Sequence, residues 1–157
     1  MSSRLEQDAK PPLLQFCDMT ESESRHTMEQ ARRAMLAALP DAWAIYVYGS
    51  FARGDVWPTS DLDLAVLLPP GREIADLFGL TADIASHVHR EVDIVDLRTA
   101  GDTLRHEVLA DGRPLFVSKP ELVLAWEASA MSRYANHREE IRDLLEDFRR
   151  TGRGYGP

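Results

Sequence analysis

The feature that most constrains this chain is a Gly-Ser pair followed, after ten intervening residues, by two aspartates at spacing two. Gly49 and Ser50 end an apolar segment, and Asp61 and Asp63 open the next one, in the run YVYGSFARGDVWPTSDLDLAV. Because side chains alternate along a strand, Asp61 and Asp63 are predicted to project from one side of a strand, with Cβ atoms ~7 Å apart. Two carboxylates placed in this way suit Mg²⁺, which usually binds through one or two carboxylates together with substrate phosphates.

The Gly-Ser turn is predicted to hold a triphosphate. Gly49 lacks a Cβ and lets a phosphate approach the backbone, while Ser50 offers a hydroxyl and an N–H to a phosphate oxygen. Arg53 lies three residues after Ser50. Its guanidinium either reaches a phosphate or pairs with a carboxylate such as Asp55. A solvated helix arginine is the alternative interpretation.

The combined motif resembles the nucleotidyltransferase superfamily of DNA polymerase β type, whose mark is a Gly-Ser followed by Asp-x-Asp at this offset. The wider string GSFARGDVWPTSDLDLAV is most similar to the minimal nucleotidyltransferases, and among them to the MntA antitoxins that accompany HEPN-domain toxins. The resemblance covers residues 43–115 well and the flanks weakly. It implies that Arg53 lies in the first turn of a short helix. It implies an α/β (α+β) fold with a small mixed sheet flanked by helices, and the sequence adds a long C-terminal helix. We expect the helices mainly on one side of the sheet and the metal site at its open face.

The resemblance also implies an activity, which is transfer of AMP from ATP to a tyrosine of a cognate HEPN RNase toxin. The toxin would be neutralised in a hetero-oligomer with this protein. Two Mg²⁺ ions are implied, both bound by Asp61 and Asp63. Asp93, in the third strand, would bind one ion and act as general base on the tyrosine hydroxyl. Asp96 would then face the opposite side of that strand, because side chains alternate.

Two other functions remain open at this point. One is a small-molecule nucleotidyltransferase of the aminoglycoside-modifying type, and the other is a non-catalytic antitoxin that acts by binding alone. Stand-alone enzymes of the first type usually append a substantial second domain, whereas only about sixty residues follow the third strand here. This comparison favours an acceptor brought by another macromolecule. The base of the nucleotide and the identity of the acceptor residue stay open.

Charge and cysteine content limit the partners and the compartment. The net charge of −8 argues against direct nucleic-acid binding, which needs a surplus of Lys and Arg. A nucleoside triphosphate remains compatible, because metal ions supply local positive charge. The single Cys17 excludes an internal disulfide and fits a reducing compartment. Without a membrane-length apolar stretch or a signal-like start, the chain is expected to be cytoplasmic, with no membrane contact.

The predicted organisation is a loosely ordered lead-in over residues 1–19, one nucleotidyltransferase domain over 20–150, and a frayed tail over 151–157. A capping box of Thr20 and Glu23 predicts a first helix ending at Leu39, before Pro40. Strands are predicted at 43–48, 61–68 and 91–97, with helices at 72–90, 102–110 and 120–150 and a small apolar piece at 115–117.

Three further features concern the loop before the second strand and the C-terminal helix. Trp57 lies in the loop between Gly-Ser and Asp-x-Asp, where it is a candidate for contact with a ligand or partner. Ser60 is expected to hydrogen-bond within the turn that leads into the second strand. The C-terminal helix packs on the sheet in the simpler interpretation. Its supply of apolar residues is also typical of a protein interface: Trp126, Met131, Tyr134 and Phe148.

Overall fold

The computed structural model of the chain describes residues 20–151. The predicted lead-in with Cys17, the tail from residue 152 onward and the side chain of Phe148 therefore lie outside the described part. Five helices and four strands follow in the order α1 (Glu21–Ala38), β1 (Ala44–Tyr48), α2 (Gly49–Arg53), β2 (Leu62–Leu67), α3 (Leu77–Val88), β3 (Val92–Asp96), α4 (Asp102–Asp111), β4 (Arg113–Val117) and α5 (Pro120–Thr151).

Helix α1 begins at the predicted capping box. Thr20 Oγ1 accepts a hydrogen bond from the Glu23 N–H at 3.2 Å, and the Thr20 N–H donates to the Glu23 carboxylate at 2.8 Å. These two bonds satisfy backbone donors that a helix start otherwise leaves free. The helix ends before Leu39, whose N–H donates to the Met35 carbonyl, and Pro40 follows.

The four strands form one mixed sheet in the order β3-β2-β1-β4. Strand β1 runs antiparallel to both of its neighbours, β2 and β4, whereas β2 and β3 are parallel. A parallel pair needs a crossover connection, and α3 supplies it between β2 and β3. All five residues of β1 are buried, and the strand is internal in the sheet. The expectation of a small mixed sheet is confirmed.

Helices cover both faces of the sheet, so the expectation that they lie mainly on one side is wrong. Helices α1 and α3 cover the face that carries Val47 and Leu64. The opposite face, which carries Tyr46 and Leu67, packs against α4 and the first half of α5. The physical reason is that β1 and β2 are apolar on both faces, so that each face must be shielded from water.

Two elements begin away from their predicted positions. Helix α3 starts at Leu77 rather than at residue 72, because the Asp76 side chain caps it by accepting from the Gly79 N–H at 2.8 Å. Strand β4 starts at Arg113, before the predicted apolar piece, because Arg113 and Pro114 already pair with β1, ahead of a register shift at Leu115.

Helix α5 is tied to the sheet near its start. Tyr46 Oη donates a hydrogen bond to the Glu127 carboxylate at 2.5 Å, and Val123 and Ala130 are buried. Further along, Tyr134 stacks on His106 of α4 with ring centroids 4.0 Å apart. Several apolar side chains of α5 stay exposed: Leu122, Leu124, Met131, Ile141, Leu144 and Leu145. Within residues 20–151, no helix is both long and apolar enough to cross a membrane.

Candidate active site

The turn after β1 brings the predicted phosphate-binding residues against the predicted metal strand. Gly49 has a φ of +64°, in the left-handed region that favours glycine. A Cβ added there would lie 2.1 Å from Asp63 Oδ2, well inside van der Waals contact. Glycine at this position is therefore required both by the backbone conformation and by the close approach of the Asp63 carboxylate.

Helix α2 carries the other two residues predicted to bind the nucleotide. The Ser50 carbonyl accepts from the N–H groups of Gly54 and Asp55, at 3.0 and 3.1 Å, and Gly54 ends the helix with a φ of +83°. Arg53 lies in the last turn of α2, so the expectation of a position in the first turn is wrong. The helix starts at Gly49 and is only five residues long, so that Arg53 is its last residue.

The three candidate carboxylates come from adjacent strands. Asp63 on β2 lies directly opposite Asp93 on β3 in the parallel register, at the ~4.8 Å spacing of neighbouring strands. Asp61 precedes the first residue of β2 and lies two residues before Asp63, on the same side of the chain. Asp63 is half-buried, while Asp61 and Asp93 are exposed.

Asp96 has a different environment, as expected for a residue on the other face of β3. It lies opposite Val66 in the register, and its carboxylate pairs with Arg98 at 2.6 Å. The Arg98 guanidinium also donates to the carbonyl oxygens of Pro69 and Arg72. Asp96 therefore anchors the loop that follows β2 and does not face the candidate site.

Negative charge is concentrated around Asp63. Burial raises the pKa of the Asp63 carboxyl, and the charges of Asp93, Asp61 and Glu107 raise it further, whereas Arg53 lowers it. The pKa of the neighbouring Tyr48 hydroxyl is raised by burial and then by Asp63, Asp93 and Glu107. A site with this excess of carboxylates favours a cation as its ligand.

The candidate residues other than Asp93 share one cavity of about 510 Å³, within the size range of ligand pockets. Tyr48, Thr59 and Glu107 also line this cavity, although the sequence did not predict them for the site. The full lining is Tyr48, Gly49, Ser50, Arg53, Trp57, Thr59, Ser60, Asp61, Asp63 and Glu107.

Glu107 carried a usable sequence signal. It lies between Leu104, which packs against the core, and the buried Val108 on the inner side of α4. An acidic residue three positions after an apolar contact lies on the same side of the helix as that contact. Glu107 is exposed to solvent and borders the cavity.

The loop between α2 and β2 forms one wall of the cavity and is held by side chains. Ser60 Oγ accepts from the Trp57 N–H at 2.9 Å, which confirms the expected role of Ser60 in this turn. Arg90, which follows α3, donates to the carbonyl oxygens of Trp57 and Ser60. The Arg90 guanidinium also lies 5.1 Å from the ring centroid of the buried Phe51.

The donor set fits Mg²⁺ that arrives with a nucleotide. Among residues 20–151, no three carboxylate, thiol or imidazole side chains converge into a ready-made metal cluster. Asp61 and Asp63 nevertheless face one cavity, and Mg²⁺ commonly takes only one or two carboxylates and completes its shell with water and phosphate oxygens. Like charges repel in the metal-free protein, so that a fully converged set is not expected there.

Comparisons with known proteins agree with this geometry. The family "Polymerase beta, Nucleotidyltransferase" matches residues 33–121, more than half of the chain. The protein adenylyltransferase MntA of Shewanella oneidensis is 28% identical over 109 residues, which are 69% of this chain and 78% of that protein.

Solved structures of toxin-antitoxin proteins are similar to this chain in fold. A toxin-antitoxin crystal structure with AMP-PNP superposes with a TM-score of 0.68 at 26% identity, over 76% of this chain and 96% of that one. A complex of the tri-AMPylated Shewanella oneidensis HEPN toxin with its MNT antitoxin shares the fold, with a TM-score of 0.64 at 23% identity, over 79% of this chain and 97% of that one. The family match, together with the Gly-Ser turn packed against Asp63, establishes that this chain belongs to the polymerase beta nucleotidyltransferase family.

Proposed function

We propose that this chain is a metal-dependent protein adenylyltransferase, which moves AMP from ATP to a tyrosine of a cognate HEPN RNase toxin. It would act in the cytoplasm as the antitoxin of that RNase. The observation that carries the proposal is the contact between Gly49 and Asp63, because it joins a phosphate-binding turn to a carboxylate strand in one cavity. The similarity to a protein adenylyltransferase, and to a toxin-antitoxin complex containing an ATP analogue, supports the choice of substrate and partner.

The turn and the strand have separate roles in this proposal. Gly49 and Ser50 hold the β- and γ-phosphates, and Arg53 at the cavity wall adds positive charge to the same end. Asp61 and Asp63 would hold two Mg²⁺ ions, and Asp93 would help to bind one of them. When bound, these ions supply Lewis-acid stabilisation of the charge that develops on the phosphates.

The proposed reaction is an in-line displacement at the α-phosphorus. The tyrosine oxygen of the acceptor forms a bond to the α-phosphorus while the bond from the α-phosphorus to the bridging oxygen of pyrophosphate breaks. Asp93 accepts the proton of the tyrosine hydroxyl as general base, which requires hydrogen-bond reach in the productive complex. Asp93 suits this role because it is exposed beside Asp63 and outside the cavity lining, where an acceptor can approach it.

The test is label transfer from two forms of ATP to the HEPN protein encoded beside this chain. With Mg²⁺ present, label at the α-phosphate is expected on the HEPN protein and label at the γ-phosphate is not. An Asp61→Asn variant serves as the control that retains the surface of the protein. Neutralisation of the RNase by wild type without any label would instead indicate a non-catalytic antitoxin. Label on a small molecule and on no protein would indicate a small-molecule nucleotidyltransferase.

A further inference from the structure

Trp57 presents a large aromatic side chain at the wall of the cavity. The residue is 46% exposed, although indole is among the most apolar side chains, and it lines the same cavity as Ser50 and Asp63. Tyr48, the other aromatic residue of the lining, is only 6% exposed. Among the residues that line the cavity, the accessible aromatic surface is therefore that of Trp57.

The backbone of Trp57 is fixed by hydrogen bonds, so that the ring is attached to an ordered part of the loop. Its N–H donates to Ser60 Oγ at 2.9 Å. Its carbonyl accepts from the Ser60 N–H at 3.0 Å and from Arg90 Nη1 at 3.3 Å. Arg90 in turn lies over the ring of Phe51, whose side chain belongs to the core. The loop is thus connected to the folded core, and a ligand that contacts the ring has little backbone motion to suppress.

The rest of the lining offers no other large exposed aromatic side chain to a base. Apart from Gly49 and the largely buried Tyr48, it carries the carboxylates of Asp61, Asp63 and Glu107, the guanidinium of Arg53 and several hydroxyl groups. These groups suit phosphates, metal ions and ribose hydroxyls. A nucleobase has an apolar face that stacks favourably on an aromatic ring. Such stacking contributes about 1–3 kcal/mol of binding free energy, which is about 10-fold to 100-fold in affinity.

We infer that Trp57 stacks on the base of the bound nucleoside triphosphate and thereby sets the base-class preference of the site. This inference rests on the proposed function in so far as the ligand is a nucleoside triphosphate. Stacking recognises the face of a base and not its hydrogen-bonding edge, so that adenine and guanine should bind alike. The smaller ring of uracil should bind more weakly.

The experiment compares a ligand that has a base with one that has none. Calorimetry with Mg²⁺ would measure the affinities of AMP-PNP and of inorganic tripolyphosphate for wild type, Trp57→Phe and Trp57→Ala. Trp57→Ala is expected to weaken AMP-PNP binding about 10-fold to 100-fold and to leave tripolyphosphate binding unchanged. Trp57→Phe should retain most of the AMP-PNP affinity. Trp126→Phe, on α5 and outside the cavity lining, is the matched control and should bind both ligands like wild type.

Each other outcome overturns the inference. An equal loss of affinity for AMP-PNP and for tripolyphosphate in Trp57→Ala would mean that the loop supports the phosphate site and that the ring does not contact the base. Unchanged AMP-PNP affinity in Trp57→Ala would mean that the ring does not contact the base. Weaker binding of the HEPN protein to this variant would then mean that the ring faces the partner. These results leave the proposed function intact. Failure of wild type to bind either ligand would remove the proposed function together with the inference.

Discussion

Gly49 and Asp63 lie so close together that a single methyl group at position 49 would overlap the Asp63 carboxylate, at 2.1 Å from Oδ2. The turn after β1 and the second residue of β2 are therefore packed without a side chain between them. This contact fixes the distance between the turn proposed to bind phosphate and the carboxylates proposed to hold the metal. The positive φ of Gly49, at +64°, produces the same requirement independently.

Substitution of Gly49 should therefore affect ligand binding as well as stability. Gly49→Ala is expected to displace Asp63 and to weaken Mg²⁺-dependent AMP-PNP binding about 10-fold to 100-fold. Gly71→Ala is a matched control, because Gly71 has a φ of +77° and open space around its Cα. Both variants should lose about 1–2 kcal/mol of unfolding free energy through backbone strain, and only Gly49→Ala should lose affinity. Equal AMP-PNP affinity in the two variants would remove the turn from the site.

Asp63 should destabilise the metal-free protein at neutral pH. Its pKa is raised in the folded state, so that the folded state holds the proton more tightly than the unfolded chain does. The resulting contribution to stability is present at low pH and is lost as pH rises through the folded pKa. Asp63→Asn should therefore raise the melting temperature in EDTA at pH 7, with little difference at pH 3.

Asp63→Asn should also reduce the rate of AMP transfer by at least about 100-fold, because it removes the charge of a proposed metal ligand. Asp61→Asn should reduce the rate for the same reason. A lower melting temperature of Asp63→Asn in EDTA at pH 7, together with retained transfer, would show that the aspartate is structural. Far-UV circular dichroism of both variants checks that the fold persists.

Asp93 and Asp96 should separate catalysis from stability. Asp93→Asn is expected to reduce transfer strongly and to preserve most of the ATP affinity, because Asp61 and Asp63 remain in place. Asp96→Asn should keep its transfer rate and lose about 1–3 kcal/mol of unfolding free energy, since Arg98 loses a charged partner at 2.6 Å. Rates with matched ATP titrations, and urea unfolding of both variants, measure the two effects. Normal turnover in Asp93→Asn would contradict its role as general base.

The hydrogen bond from Tyr46 to Glu127 should contribute to the docking of α5 on the sheet. Tyr46→Phe removes the donor at 2.5 Å and leaves the ring in the core, so that a loss of about 1–2 kcal/mol is expected. Nucleotide affinity should not change, because neither residue lines the cavity. Amide hydrogen exchange within α5 would show faster opening near Glu127. Unchanged exchange there would mean that apolar packing alone holds the helix.

Local signals predicted the elements of this fold well. The capping box at Thr20 and the opposite faces of Asp93 and Asp96 both depend on spacing along one segment, and the structure confirms them. The placement of helices on both faces is a long-range property, although the two-sided apolar character of β1 contained a hint of it. The start of α3 depends on a single cap. The Asp76 side chain accepts a hydrogen bond from the backbone of the first turn, so that the helix begins after Asp76 and does not include the residues before it.

The candidate site was only partly accessible to sequence reasoning. The Gly-Ser and Asp-x-Asp motifs predicted the residues of the turn and of β2, but not the contact that joins Gly49 to Asp63. Glu107 enters the cavity from α4, more than forty positions after Asp63, and nothing in local spacing relates the two. Such relationships follow from packing of α4 on the sheet, which a linear pattern does not contain.

The most direct test of the central claim is the intact mass of the HEPN protein encoded beside this chain, after co-expression with wild type or with Asp61→Asn. Co-expression with wild type should shift the mass of the HEPN protein by one or more whole AMP additions, and fragmentation should place each addition on a tyrosine. Co-expression with Asp61→Asn should leave the mass unmodified. An unmodified mass after co-expression with wild type, in a partner that is nevertheless neutralised, would contradict the account.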